Sequence, residues 1–143
     1  MYRRRGGQME FLLVHPGGPF FLRKDEGNWT IPKGQATPGE DLLERARIEF
    51  AEELGLEPGG TCFALGEIRQ KGGKTVHAWA VEGDLPDGFM LRSNTFELEW
   101  PPRSGKRQAF PEIDRAEFFP EELARRKINL AQREFLDRLL HTA

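Results

Sequence analysis

Three glutamates near the middle of the sequence, Glu49, Glu52 and Glu53, have a spacing that could bind a metal ion. On a helix with 100° per residue they fall within an arc of roughly 100°, beside an apolar stripe. Like charges this close repel, and a bound cation offsets the repulsion. Clustered carboxylate oxygens suit Mg²⁺ or Mn²⁺. The helix alone is equally consistent with such a site and with a solvated acidic face.

The residues around these glutamates favour the metal site. The segment Gly34 to Leu56, GQATPGEDLLERARIEFAEELGL, resembles the Nudix box: Gly, five residues, Glu, seven residues, Arg-Glu-apolar, one residue, Glu-Glu, one residue, Gly-apolar. An accidental match of this quality has a chance on the order of one in a hundred thousand at average residue frequencies. Only the arginine is missing, because Ile48 takes its place. The matching positions are Gly34, Glu40, Glu49, Phe50, Glu52, Glu53, Gly55 and Leu56.

The resemblance implies an enzyme in which water attacks a phosphorus of a nucleoside diphosphate linked to another group. Carried over residue by residue, Glu49, Glu52 and Glu53 would bind Mg²⁺, with Mn²⁺ as an alternative, and Gly34 would offer its backbone carbonyl. Glu52 and Glu53 are expected to be catalytic, and Glu40 to lie at the edge of the site. A bound divalent metal neutralises pyrophosphate charge and lowers the pKa of a bound water.

The isoleucine at position 48 leaves the acidic arc without the cation that orients and neutralises it in the family. Arg45 lies four residues before Glu49, inside the same arc. We expect Arg45 to supply the missing charge. The alternative is that Ile48 marks a member without turnover.

Nudix enzymes often use one more acid outside the box, as a metal ligand or a general base. Glu112, in FPEIDRAEFF, has the family-like spacing to Phe118, and the resemblance therefore implies both roles for it. Glu97 and Glu99 are alternatives, since TFELEW places both on one face of a strand.

The substrate is indicated by the segment Trp29 to Gly34, WTIPKG. It resembles the Trp-x-x-Pro-Lys-Gly segment of Nudix enzymes that cleave diadenosine polyphosphates and, in related branches, inositol pyrophosphates. Lys33 would then contact a phosphate. Other cations could bind further phosphates: Arg103, Lys106 and Arg107 in one loop, and Lys71 and Lys74 on a hairpin.

These residues favour a Mg²⁺-dependent Nudix hydrolase that cleaves a phosphoanhydride bond in a dinucleoside polyphosphate. One alternative is a nucleoside triphosphate pyrophosphohydrolase that removes damaged nucleotides. Another is a nucleotide-sensing or RNA-binding module without turnover, which Ile48 favours and the retained box glutamates oppose.

The elements that must position these residues follow from periodicity and turn signals. Helix α1 is predicted to begin with Thr37 as N-cap in a capping box with Glu40, and to stop at Gly55. The order of elements predicts an α/β fold, and the resemblance specifies a Nudix-type α/β/α sandwich with a mixed sheet and a loop-helix-loop box. Strands are predicted at 9–15, 19–23, 29–31, 62–70, 74–81, 95–100 and 116–119, a loop at 101–111, and one or two helices over 121–140.

Composition narrows the remaining possibilities. The length of 143 residues favours one domain over 1–143, and a net charge of −2 gives no global field for nucleic acid or membrane. The single cysteine, Cys62, and the lack of an apolar signal or spanning run predict a cytoplasmic protein. The expected partner is a small nucleotide substrate, with no membrane and no stable nucleic-acid partner.

Overall fold

The computed structural model describes residues 1–142, and Ala143 lies outside the described residues. The strands are β1 Tyr2–Arg5, β2 Gln8–Pro16, β3 Cys62–Arg69, β4 Thr75–Val81, β5 Thr95–Glu99, β6 Arg107–Pro111 and β7 Ile113–Pro120. The helices are α1 Leu42–Leu54, α2 Glu121–Lys127 and α3 Arg133–Thr142, with a short 3₁₀ helix at Leu130–Gln132. No described helix is long and apolar enough to cross a membrane.

Strand β2 is the centre of the main sheet. It pairs antiparallel with β1 on one side and β7 on the other, and Phe11 of β2 lies opposite Tyr2 and Phe119. The β3–β4 hairpin adjoins β1 through a parallel bridge between Tyr2 and Glu82. Strands β5 and β6 form a separate hairpin that leads into β7. All pairs of these strands are antiparallel, and the parallel pairing expected of a mixed sheet is limited to the isolated bridges Tyr2–Glu82 and Trp29–Ile128.

Alternate residues of β2 contribute to two cores, because successive side chains of a strand point to opposite faces. Leu12 and Val14 pack with Phe50 and Leu54 of α1. Phe11 and Leu13 pack on the other face, in the cluster that contains Trp29, Ala124, Ile128, Leu136 and Leu139. Each buried aliphatic or aromatic side chain stabilises the fold by roughly 1.5–3 kcal/mol. Helices cover both faces of β2, which confirms the predicted α/β sandwich.

Helix α1 begins four residues later than the sequence pattern predicted. Thr37 is not the N-cap, because Asp41 takes that position and its side chain accepts a hydrogen bond from the Glu44 N–H at 3.0 Å. The Thr37–Glu40 interaction forms, with the Thr37 N–H donating to Glu40 Oε1 at 2.6 Å, but it closes a turn before the helix. Gly55 ends the helix as predicted, with a left-handed φ of 79°.

Two other assignments are wrong. Residues 19–23 form consecutive turns rather than a strand, and residues 107–111 form β6 rather than a loop, because they pair with β5. Residues 29–31 contribute only isolated bridges, from Thr30 to Val14 and from Trp29 to Ile128. The predicted β3–β4 hairpin, strand β5 and the C-terminal helices are confirmed.

Candidate active site

Gly34 and Glu49 lie in direct contact at the start of the box. A Cβ atom at Gly34 would stand 1.9 Å from Glu49 Cδ, a separation that no pair of carbon atoms tolerates without covalent bonding. The Glu49 carboxyl group therefore occupies the space that a side chain at position 34 would fill. Only glycine fits this position with Glu49 in its observed orientation.

Glu53 is the buried carboxyl group of the site, with 6% of its surface exposed. One oxygen, Oε2, accepts a hydrogen bond from the Lys33 backbone N–H at 3.0 Å. Burial raises the pKa of Glu53 to about 8; the Lys33 N–H and charge oppose this, while Glu49 and Glu112 add to it. A carboxyl group of this kind holds a proton at neutral pH until a cation replaces it.

Arg45 lies within the acidic arc, where the sequence placed it. Its Nη2 is 2.7 Å from Glu40 Oε2 and its Nη1 is 3.4 Å from Glu49 Oε1. Burial, and then the charge of Glu52, raise the pKa of Glu49, while Arg45 opposes both. Hydrogen bonds from Thr37 and then from Arg45 lower the pKa of Glu40 to about 2. Arg45 thus contacts the two box glutamates that lie nearest to it.

The backbone of Glu112 is linked to α1 through Asn94 and bonds directly to Gly17 in the turn after β2. Its N–H donates to the carbonyl of Asn94 at 2.8 Å, and the Asn94 N–H donates to the carbonyl of Glu52 at 3.1 Å. Its own carbonyl accepts from the Gly17 N–H at 2.9 Å. A Cβ at Gly17 would stand 2.0 Å from the carbonyl oxygen of Pro111. The structure therefore brings Glu112 to the box.

Sequence reasoning missed Asn94 and Gly17. Gly17 had a signal, since it lies in the turn Pro16-Gly17-Gly18. Nothing in the sequence distinguishes Asn94 from other loop asparagines, because its role is a backbone bridge between distant segments.

The alternative acids Glu97 and Glu99 lie on the exposed face of β5. Glu97 is 3.4 Å from Arg107, and Glu99 accepts a hydrogen bond from the Arg103 N–H at 2.8 Å. The charge of Glu112 raises the pKa of both Glu49 and Glu53, whereas neither Glu97 nor Glu99 is among the main charges that shift those two pKa values. Of the three acids outside the box, Glu112 is thus electrostatically coupled to it.

A cleft of about 450 Å³ opens beside Glu49. Lys33, Arg45 and Lys74 line it, so it combines one carboxylate with three cations. Gln70, His77 and Trp79, which were not predicted as site residues, complete much of the wall. The other predicted phosphate-binding residues, Arg103, Lys106 and Arg107, lie on the β5–β6 hairpin and do not line this cleft.

The donor set is suited to a hard divalent cation, but it is not gathered into a cage. Residues 1–142 contain no group of three or more His, Cys, Asp or Glu side chains that could hold a metal as they stand. Glu49 is paired with Arg45, Glu53 with the Lys33 N–H, and Glu52 lines a neighbouring groove with Ile48. The contact between Gly34 and Glu49 nevertheless brings one of these carboxyl groups next to the Gly34 backbone.

A family model covers nearly the whole chain. The NUDIX domain model matches residues 1–139. An asymmetrical bis(5'-nucleosyl)-tetraphosphatase of Caenorhabditis elegans is 29% identical over 106 residues, which are 70% of this chain and 72% of that protein. Its counterpart of the same name in Rattus norvegicus is 37% identical over 82 residues, so this chain spans only about 50% of that relative.

Solved structures share the fold. The crystal structure of a C. elegans Ap4A hydrolase binary complex superposes with a TM-score of 0.66 at 24% identity, covering 98% of this chain and 90% of that one. The NUDIX domain of Shewanella oneidensis NrtR, complexed with ADP ribose, gives a TM-score of 0.58 at 16% identity, covering 97% and 82%. The chain belongs to the Nudix family. Within that family it is a hydrolase that acts on pyrophosphate bonds.

Proposed function

We propose that this protein is a divalent-metal-dependent hydrolase of dinucleoside polyphosphates, with diadenosine tetraphosphate as the favoured substrate. The observation that carries the proposal is the cleft beside Glu49, which presents Lys33, Arg45 and Lys74 to one side of the box. A row of cations next to a carboxylate of the box suits a long phosphate chain that must extend beyond the bond to be cleaved. The names of the two tetraphosphatase relatives support the same substrate class.

In this proposal Glu49, Glu52 and Glu53 are the side chains that bind Mg²⁺, or Mn²⁺, with the Gly34 carbonyl beside them. The bound ion would neutralise phosphate charge and lower the pKa of a coordinated water. Glu53 must lose the proton that its burial favours, and Glu49 must turn from Arg45 toward the ion. Arg45 would then be free to contact Glu40 or the substrate.

Glu112 is proposed as the general base or an additional metal ligand. Its backbone is fixed at both its N–H and its carbonyl, so its side chain starts from a defined position beside the box. The side chain is solvent-exposed, which allows proton exchange with water. Lys33, from the cleft, is proposed to contact phosphate. For Arg103, Lys106 and Arg107 a phosphate-binding role stays a proposal that requires a substrate reaching the β5–β6 hairpin.

Product analysis tests the substrate assignment. Diadenosine tetraphosphate incubated with the protein and Mg²⁺ is expected to yield ATP and AMP. A nucleoside monophosphate and pyrophosphate from a single nucleoside triphosphate, with diadenosine tetraphosphate left intact, would support the pyrophosphohydrolase alternative instead. The Glu53→Gln variant is the control, since equal rates for variant and parent would identify a contaminating activity.

A further inference from the structure

An aromatic pair, with one exposed and one half-buried ring, lies outside the cleft on segments that adjoin Glu112. The ring of Phe20 is 59% exposed, and it packs edge to face on Trp100 with 5.6 Å between ring centroids and 84° between planes. The two rings come from segments far apart in sequence, the turn region after β2 and the end of β5. A large aromatic side chain that is exposed yet held against a second ring is typical of a binding surface.

The β5–β6 hairpin supports this pair from one side. Phe96 and Trp100 lie on the same face of β5, because side chains alternate along a strand. Phe96 packs against Gly18, where an added Cβ would be 2.8 Å from the ring, and against Phe110 of β6 with 6.0 Å between centroids. Phe110 is two residues before Glu112. The aromatic surface and Glu112 therefore belong to the same hairpin and its exit.

The loop that carries Phe20 is held at both ends near the start of β7. At its start the Gly17 N–H donates to the carbonyl of Glu112 at 2.9 Å. At its end the Lys24 carbonyl lies 2.7 Å from Nε2 of buried His15, whose Nδ1 is 2.7 Å from Asp114. Because both ends of the loop are hydrogen-bonded, ligand binding would order it at a smaller cost in conformational entropy.

Cations follow directly after Trp100. Arg103 and Lys106 are exposed, and within residues 1–142 neither side chain forms an ion pair, whereas Arg107 is paired with Glu97. An aromatic face followed in sequence by cations whose side chains form no ion pair among residues 1–142 fits a nucleotide, whose base stacks on the ring and whose phosphates contact the guanidinium and ammonium groups.

We propose that the Phe20–Trp100 surface binds one nucleoside of a dinucleoside polyphosphate, the one that a mononucleoside polyphosphate lacks. The inference rests on the proposed function and adds a second base subsite to it. The polyphosphate then extends from the cleft at Lys33 and Lys74, past the box carboxylates and Glu112, toward Arg103. The two nucleosides of the substrate bind at opposite ends of this path.

The test compares diadenosine tetraphosphate with adenosine 5′-tetraphosphate, which lacks one nucleoside. Phe20→Ala is expected to raise KM for the dinucleotide about tenfold and to leave KM for adenosine 5′-tetraphosphate and both kcat values unchanged. Phe20→Tyr, which keeps the ring, should restore the parent KM. Leu22→Ala is the matched control, because Leu22 is 70% exposed in the same loop but carries no aromatic ring.

Three outcomes would overturn the subsite: an unchanged KM in Phe20→Ala, an equal rise for both substrates, or an equal effect of Leu22→Ala. Calorimetry with a methylene-bridged, non-hydrolysable analogue of diadenosine tetraphosphate measures binding without cleavage. It therefore separates failure of the subsite from failure of the proposed function. If the parent cleaves neither substrate but Phe20→Ala still weakens binding of the analogue, the reaction is wrong and the subsite stands. If the parent does cleave the dinucleotide and Phe20→Ala binds the analogue as tightly as the parent, the subsite is wrong and the reaction stands.

Discussion

Gly34 meets a steric demand of the site, since Glu49 occupies the space where its side chain would be. Gly34→Ala fills that space and is expected to keep the Glu49 carboxyl group away from the Gly34 carbonyl, with which it is proposed to bind the ion. We expect kcat/KM to fall roughly a hundredfold, because a shift of about 1 Å in a catalytic group has effects of this size. Gly59→Ala is the matched control, as a Cβ there meets nothing within 4 Å. Steady-state kinetics would contradict the assignment if both variants retained the parent kcat/KM.

We expect Arg45 to compensate the acidic arc in place of the arginine missing at position 48, since it contacts Glu40 and Glu49. Arg45→Ala removes the contacts to Glu40 and Glu49, and activity at saturating Mg²⁺ is expected to fall about twofold to tenfold because the two glutamates lose the cation that orients them. Mg²⁺ affinity is expected to change as well, because Arg45 no longer competes with the ion for Glu49. Adding Ile48→Arg to that variant should recover part of the loss, because it restores a cation at the family position. Unchanged metal affinity and activity in Arg45→Ala would show that another residue neutralises the arc.

Glu53 makes the stability of the metal-free protein depend on pH. Its pKa is about 8 in the folded chain against 4.5 as the unfolded reference, so between these values the folded state holds a proton that the unfolded state has released. Stability therefore falls as pH rises from about 4.5 to about 8. In EDTA, Tm is expected to decrease over pH 6–9 in the parent more than in Glu53→Gln. Parallel curves for the two proteins would contradict the raised pKa.

The start of α1 shows how a local pattern can be right in its contacts and wrong in its boundary. Thr37 and Glu40 do interact as a capping box would, yet the chain turns once more before the helix begins at Leu42. Asp41 also has a side chain suited to a cap, but the sequence pattern pointed to Thr37 because Glu40 follows it three residues later. Choosing between them requires knowing where the segment 33–36 must pass beside Glu49, which is tertiary information.

Asp41→Ala tests the observed boundary. Loss of the side-chain acceptor for the Glu44 N–H is expected to lower the free energy of unfolding by about 1 kcal/mol. Asp41→Asn keeps an oxygen in the same place and should cost only a few tenths of that value. Urea unfolding measures both. A larger effect of Thr37→Ala than of Asp41→Ala would return the N-cap to Thr37.

Strand pairing explains why the secondary structure of residues 19–23 and 107–111 was wrongly predicted. The run Pro19 to Arg23 has strand-like composition but no partner, and Phe20 and Leu22 remain exposed in turns. The segment Arg107–Pro111 has loop-like composition but pairs with β5, where its register places Arg107 opposite Glu99. Whether a short segment becomes a strand depends on a neighbour that its own residues do not specify.

Across the whole molecule, the contiguous part of the site was predictable from spacing, and the contacts that assemble the rest were not. The box residues lie within 23 consecutive positions, so their spacing alone indicated a family and its chemistry. Glu112 and Lys74 were named as candidates, but the bonds through Asn94 and Gly17 that hold Glu112 beside the box, and the part of Gln70 in the cleft, were missed. These contacts depend on how β2, β7 and α1 pack together, and a local sequence pattern carries no information about that packing.

The central claim is that carboxylates of α1 bind a divalent ion on which phosphoanhydride hydrolysis depends. Its most direct test is a titration with Mn²⁺ followed by electron paramagnetic resonance, in parallel with Mg²⁺-dependent hydrolysis, for the parent, Glu53→Gln and Glu44→Gln. Glu44 lies about 140° around the helix from Glu49 and serves as the control. The account predicts that Glu53→Gln loses about a hundredfold in activity and binds Mn²⁺ more weakly, while Glu44→Gln matches the parent. Equal ion binding and equal hydrolysis in all three proteins would contradict it.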